Sequence, residues 1–331
     1  MFSKFRERSQ AAKDEPLVPV AFGKIWSMGD FVVTAGRSDT LKRYEAFLGN
    51  CMDWAQERRP VWKEAYKRGG VQAFAYRLPS AAKDPSLVVG VMRPSTDAIG
   101  RLHPMAVAVR APLAPFLSAP HLVPLVFTSF FHNATEALPY LADARSLAEL
   151  QALVERIEVP TLANIDETAA LYATWSRTGA LRDVWAALFG PYGDSHLPLV
   201  AVQAIIDSAS PFRGKESPPT PLGLKLPLGE AAGEGAAFWI DLLRHAARWK
   251  QTVPSFFWSN DDTMLLQLGD EVPTTVLADL WCPQYESDHI YSPLIPVDSV
   301  KPPSTAVPMA LDAILRDPSL TVSGLAGTLA G

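Results

Sequence analysis

Residues 71–110 read VQAFAYRLPSAAKDPSLVVGVMRPSTDAIGRLHPMAVAVR, and the order of elements within them decides the fold. Val71–Leu78 carries its bulky residues Phe74, Tyr76 and Leu78 on alternate positions, the period of a β-strand. Leu87–Met92 is a continuous apolar run, and His103–Arg110 alternates again through Met105, Val107 and Val109. The connections between the three runs are short, so they are read as antiparallel neighbours.

Before this core, Val18–Ile25 is apolar and β-permissive, and Phe31–Thr34 follows a Met28-Gly29-Asp30 turn. Asp39 is placed to cap a helix over Thr40–Glu57. The apolar face of that helix is Leu41, Tyr44, Leu48, Cys51 and Ala55, at the spacing of an amphipathic helix. After the core, one helix is predicted over Val123–Leu138. Another begins at Ser146, where Ser146 and Glu149 spell a capping box. The order ββαβββαα predicts an α+β fold, layered, around a mainly antiparallel five-stranded sheet. That order is similar to longin-like and profilin-like sheets, a likeness of fold that carries no chemistry by itself.

The second half reads as mostly helical, with helices over Glu167–Phe189, Leu197–Ser208 and Ala236–Lys250. Ser255–Trp258 and Thr263–Leu268, joined by Asn260-Asp261-Asp262, read as a hairpin. The organisation expected is an α+β domain over 16–160, a mostly helical extension with the hairpin over 161–300, and a loose tail over 301–331. The tail holds one short helix candidate, Ala310–Leu315.

Composition narrows the function. The 331 residues are 48% hydrophobic and 20% charged, which rules out global disorder. Thirty basic residues face thirty-five acidic ones, for a net charge of −5 without a Lys/Arg-rich run, so no nucleic-acid partner is expected. Prolines number 29, about 9% against the ~5% typical of proteins, and their clusters mark connections. Cys51 and Cys282 lie far apart and form no CxxC pair, which fits a reducing compartment. Leu122–Phe131 falls well short of the ~20 apolar residues a membrane helix needs, and the first residues lack a signal-peptide core. A cytoplasmic protein without membrane insertion is expected, and the oligomeric state stays open.

Catalytic motifs are missing. Gly23-Lys24-Ile25 is no phosphate-binding loop, GxGxxG, HExxH and GxSxG are absent, and the six histidines show no ligand spacing. Gly193-Asp194-Ser195 resembles an esterase nucleophile but follows a helix and lacks an Asp-x-x-His partner. It reads better as a helix stop, with Asp194 or Ser195 capping the next helix. No catalytic residue, metal or cofactor is therefore expected.

Two polar clusters interrupt the apolar strands: Gly23–Phe31, and Pro94–Arg101 followed by Pro104. On a structural reading, Asp30 and Asp97 bond the backbone of their own turns, Gly29 and Gly100 supply φ > 0, and Arg101 pairs with either aspartate. On a functional reading, the loops meet at one end of the sheet and form a recognition surface of Gly29, Asp30, Phe31, Pro94, Ser95, Asp97, Gly100 and Arg101. A third possibility is a metal- or phosphate-binding hydrolase using Asp30, Asp97 and Arg101.

These clusters carry a resemblance. Gly23-Lys24-Ile25-Trp26-Ser27-Met28-Gly29-Asp30-Phe31-Val32 resembles the G-K-x-P-S-x-G-D-F-V pattern of the TagF family, also called ImpM. Tyr44-Glu45-Ala46-Phe47-Leu48 corresponds to that family's W-D-x-W-L. Pro94, Ser95, Asp97, Gly100, Arg101 and Pro104 match its P-S-x-D-x-x-G-R-x-x-P. Trp26 stands where the family has proline, and Met28 where a basic residue is common. The likeness covers roughly Ala21–Arg110. It implies a non-enzymatic accessory protein of the type VI secretion system, a post-translational repressor that binds the forkhead-associated scaffold protein Fha. Some family members are fused to a PppA-type phosphatase domain, which is not recognisable here.

Overall fold

In a computed structural model, residues 16–35, 37–79, 85–218, 220–259, 263–282, 287–292 and 314–330 are described. The five strands of the first half are β1 (Val20–Gly23), β2 (Val32–Val33), β3 (Gln72–Arg77), β4 (Ser86–Arg93) and β5 (Met105–Pro112). They run antiparallel in the order β2-β1-β5-β4-β3.

The sheet does not stop there. The second half adds β6 (Gly223–Pro227), β7 (Ser255–Ser259), β8 (Thr263–Gln267) and β9 (Ile290–Tyr291) in the order β7-β8-β6-β9, with β7 hydrogen-bonded to β3. The expected five-stranded antiparallel sheet is thus corrected: among the described residues it is a nine-stranded mixed one, in which only β6 and β9 pair in parallel. β3 is an inner strand because Ala73, Phe74 and Ala75 align with Trp258, Phe257 and Phe256. β7 and β8 form the expected hairpin strands, and its turn at Asn260–Asp262 lies outside the described residues. β6 escaped the sequence reading because its glycine and proline ends masked the Leu224/Leu226 alternation.

Helices cover both faces. On one lie α1 (Asp39–Arg58), α2 (Trp62–Arg68) and α10 (Val276–Trp281), whose Tyr44, Leu48, Trp62, Tyr66 and Leu277 share a core with Phe74, Tyr76, Val88 and Phe257. The other face carries α3 (Leu122–Val126), α4 (Thr128–Ala142), α5 (Leu147–Val154), α6 (Ile165–Thr178), α7 (Leu181–Phe189), α8 (Leu197–Ala209), α9 (Ala232–Ala247) and α11 (Val322–Ala330). They pack with Ala73, Ala75, Val89, Val91, Val107 and Val109 in a second core that draws on both halves of the chain. Alternate residues of β3–β5 therefore feed different cores. Burial on both faces explains why β4 is a continuous apolar run.

Local details differ from expectation in physically clear ways. Ser38, not Asp39, caps α1, because its hydroxyl accepts from the Leu41 N–H at 3.3 Å. Ser146 accepts from Glu149 N as a capping box requires, but Glu149 Oε2 returns the bond to Arg145 N. The helix expected over Val123–Leu138 divides at Phe127, and that over Glu167–Phe189 divides at Gly179-Ala180. The end of the chain, expected to be loose, holds α11 docked on α9 and α6 through buried Val322, Leu325, Ala326 and Leu329. Most of the Ala310–Leu315 candidate lies outside the described residues.

Burying a leucine contributes about 1.5–3 kcal/mol, and truncating it adds the cost of a cavity. Leu325→Ala is expected to lower unfolding free energy by about 2–5 kcal/mol in urea titration. An unchanged midpoint would show that α11 is not part of the fold's core.

Candidate functional site

Antiparallel pairing of β1 with β5 sets Phe22 opposite Ala106, so the chain leaving β1 meets the chain entering β5. The β1–β2 loop and the β4–β5 loop therefore share one end of the sheet. Gly23 permits the approach. Its φ is +132°, and a Cβ there would meet the Pro104 carbonyl oxygen at 2.1 Å.

The two loops are joined at Asp97, whose side chain is fully buried. Its Oδ2 accepts from Lys24 Nζ and from Arg101 Nε, each at 2.6 Å. Its Oδ1 accepts from the backbone N–H groups of Arg101 at 2.8 Å and Ile99 at 3.2 Å. Burial alone would raise the Asp97 pKa. The Lys24 hydrogen bond, the Arg101 backbone and guanidinium bonds and the Lys24 charge outweigh it, holding the carboxyl well below the usual range. Gly100, at φ +84°, closes the turn by donating its N–H to Asp97 O. Arg101 also reaches across to Gly29 O at 2.6 Å, and Ala98 N donates to Met28 O at 2.9 Å.

Further contacts tie the pair of loops to the helices. Tyr66 of α2 clasps Ser95, its hydroxyl donating to Ser95 O at 3.0 Å and accepting from Ser95 N at 2.9 Å. On the other side, Trp26 Nε1 donates to Asp143 Oδ1 and Ser27 Oγ to Ala144 O, both between α4 and α5. Phe31 meets the buried His103 ring edge-on at 5.0 Å. Burial lowers the His103 pKa, and its Nδ1–H donates to Pro104 O.

The structure thus brings Gly29, Phe31, Pro94, Ser95, Asp97, Gly100 and Arg101 to one end of the sheet. Arg101 chooses Asp97 over Asp30. Asp30 lies exposed and, among the described residues, accepts only from Phe31 N, its own neighbour. Asp30, Asp97 and Arg101 therefore do not converge as a carboxylate pair, since all four Asp97 contacts are internal donors. Among the described residues no group of three or more His, Cys, Asp or Glu could hold a metal ion. Ser195, the esterase-like serine, accepts from Leu197 N at the start of α8 and donates to Tyr192 O.

Sequence reasoning missed Tyr66, which sits on a seven-residue helix too short to show an amphipathic period. It also missed a buried cluster in the second half. There Asp241 of α9 accepts from Arg244 at 2.8 and 3.0 Å and from Tyr172 Oη at 3.3 Å, with His121 Nδ1 also 3.3 Å away. Burial drives the His121 pKa down to about 4, against the opposing pull of Asp241. The scattered spacing of these residues in the sequence gave no signal.

Among the described residues no helix is long and apolar enough to cross a membrane. Residues 20–157 match the family model of the TagF N-terminal domain, type VI secretion system-associated. No curated protein matches the chain. Among solved structures, the chain is similar to PA0076 from Pseudomonas aeruginosa PAO1, with 18% identity and a TM-score of 0.46, over 81% of this chain and 96% of that one.

Two acid-sensitive groups give separable pH windows. His121 has a lowered folded pKa, so the unfolded chain binds its proton first and stability falls from about 6.5 down to about 4. Asp97 is also lowered, so its contribution is full above its ordinary 3.8 and drains away below that pH. Chemical denaturation across pH is expected to show a shallower upper slope in His121→Phe and a shallower lower one in Asp97→Asn. Slopes equal to wild type in both variants would refute these assignments.

Proposed function

From the premise that residues 20–157 belong to the TagF N-terminal domain family and that the chain is a type VI secretion-associated protein, we propose a regulatory role without catalysis. It acts as a post-translational repressor, binding a forkhead-associated scaffold protein or another component of the secretion system. The supporting observation is the rigid frame at the sheet end. The Asp97 contacts immobilise both loops while Ile99, at 71% exposure, and Trp26, at 56%, stand out into solvent. Large apolar side chains held outward on a fixed backbone are what a protein partner can bury without also ordering the loop that carries them. The polar motif residues build that frame, and the exposed residues at its rim make the contact.

The hydrolase alternative loses support from the same geometry. A general base or metal ligand needs a free lone pair, and the four donors on Asp97 are already in place.

The test joins physiology and binding. Deleting the gene is expected to raise secretion, and affinity capture of the tagged full chain, with mass spectrometry, to recover the scaffold. Ile99→Asp is expected to weaken capture about tenfold without changing the circular dichroism spectrum. Unchanged secretion together with bait alone after cross-linking would overturn the reading.

A further inference from the structure

Beside the two-loop frame a cleft of about 450 Å³ opens between Trp26, the end of α2, the exit of β4 and the α4–α5 turn. Its polar lining is unlike that of the loops next to it. Lys24, Asp97 and Arg101 satisfy one another, whereas the Arg93 guanidinium and the Ser95 and Thr96 hydroxyls make no side-chain hydrogen bond or ion pair among the described residues. All three are half-buried. Lys67 joins them at the rim, with only an exposed contact to Glu64 at 3.6 Å.

We propose that this cleft binds a carboxylate side chain, Asp or Glu, on an acidic segment of a partner protein. Every unspent group in it can donate. A guanidinium in particular matches the two oxygens of a carboxylate with parallel bonds. Charge selects the ligand further. Lys67 leans on Glu64 at 3.6 Å, which leaves Arg93 as the cleft's cation with no ion pair among the described residues, a single positive charge for a ligand. That balances a carboxylate, whereas a phosphoryl group brings about −1.5 to −2. Trp26 has its N–H committed to Asp143, which leaves its ring to cover the apolar stem of the entering side chain. The Tyr66 clasp fixes the Ser95 backbone, so the strand exit that carries the Ser95 hydroxyl is set before the ligand arrives. This assignment deepens the partner-binding reading and rests on it only for who the partner is.

The test is fluorescence polarisation of a dye-labelled hexaglutamate peptide with the full-length protein at low salt, beside hexaglutamine. Hexaglutamate is expected to bind and hexaglutamine not. Arg93→Gln is expected to weaken binding about tenfold, with a smaller loss in Thr96→Val and near-UV circular dichroism unchanged in both. Equal binding of the two peptides, or Arg93→Gln binding like wild type, would overturn the proposal. Displacement by inorganic phosphate at lower concentration than free glutamate would overturn the carboxylate assignment. Hexaglutamate binding without scaffold capture leaves the cleft standing and removes the secretion partner. Scaffold capture without hexaglutamate binding does the reverse.

Discussion

The antiparallel ladder from Ser86↔Pro112 to Arg93↔Met105 is the constraint on which the rest of the molecule depends. Both of its strands are buried on both faces, so each alternate residue is committed to one of two cores. A slip by one residue would exchange those cores throughout. With the ladder fixed, β1 can align only along the open side of β5, and β7 only along β3. The position of the loop at residues 94–104 follows from the same register, and so does its meeting with the β1–β2 loop.

What happens at that meeting is a balance of electrostatics. A buried carboxylate is costly unless its charge is matched and its lone pairs are used. Asp97 meets both conditions with one ammonium, one guanidinium and two backbone donors. The outcome is stiffness, because four bonds of different directions leave the turn one arrangement. It also divides labour among neighbouring residues. Lys24, Asp97 and Arg101 are consumed in holding the frame, whereas Asp30 stands exposed beside it together with Ile99 and Trp26.

The five N-terminal strands were legible because period-2 alternation and apolar runs survive in short windows. The long amphipathic α1 and the capping serine at 146 were legible for similar local reasons. The extension of the sheet was not. Nothing in Phe256-Phe257-Trp258 states that its partner is Phe74 some 180 residues earlier; only tertiary packing decides it. Helix breaks at Phe127 and Gly179-Ala180 lie inside unbroken helical patterns, so periodicity passes over them. At the site, the pattern of Asp97, Gly100 and Arg101 located the loop, yet the reach of Arg101 across to Gly29 O joins residues 72 apart, which no spacing encodes.

The pairing of β3 with β7 has a consequence for biosynthesis. As the chain leaves the ribosome, β3 to β5 can form early, since their contacts are local. The outer edge of β3 then presents unpaired backbone groups until residues 255–259 emerge. At about 5–20 residues per second this interval lasts on the order of ten seconds or more. Through that interval the nascent sheet has an open edge of the kind that recruits other strands. The late hairpin therefore completes the sheet and also seals an edge that stays open in any chain truncated or stalled between residues 160 and 255.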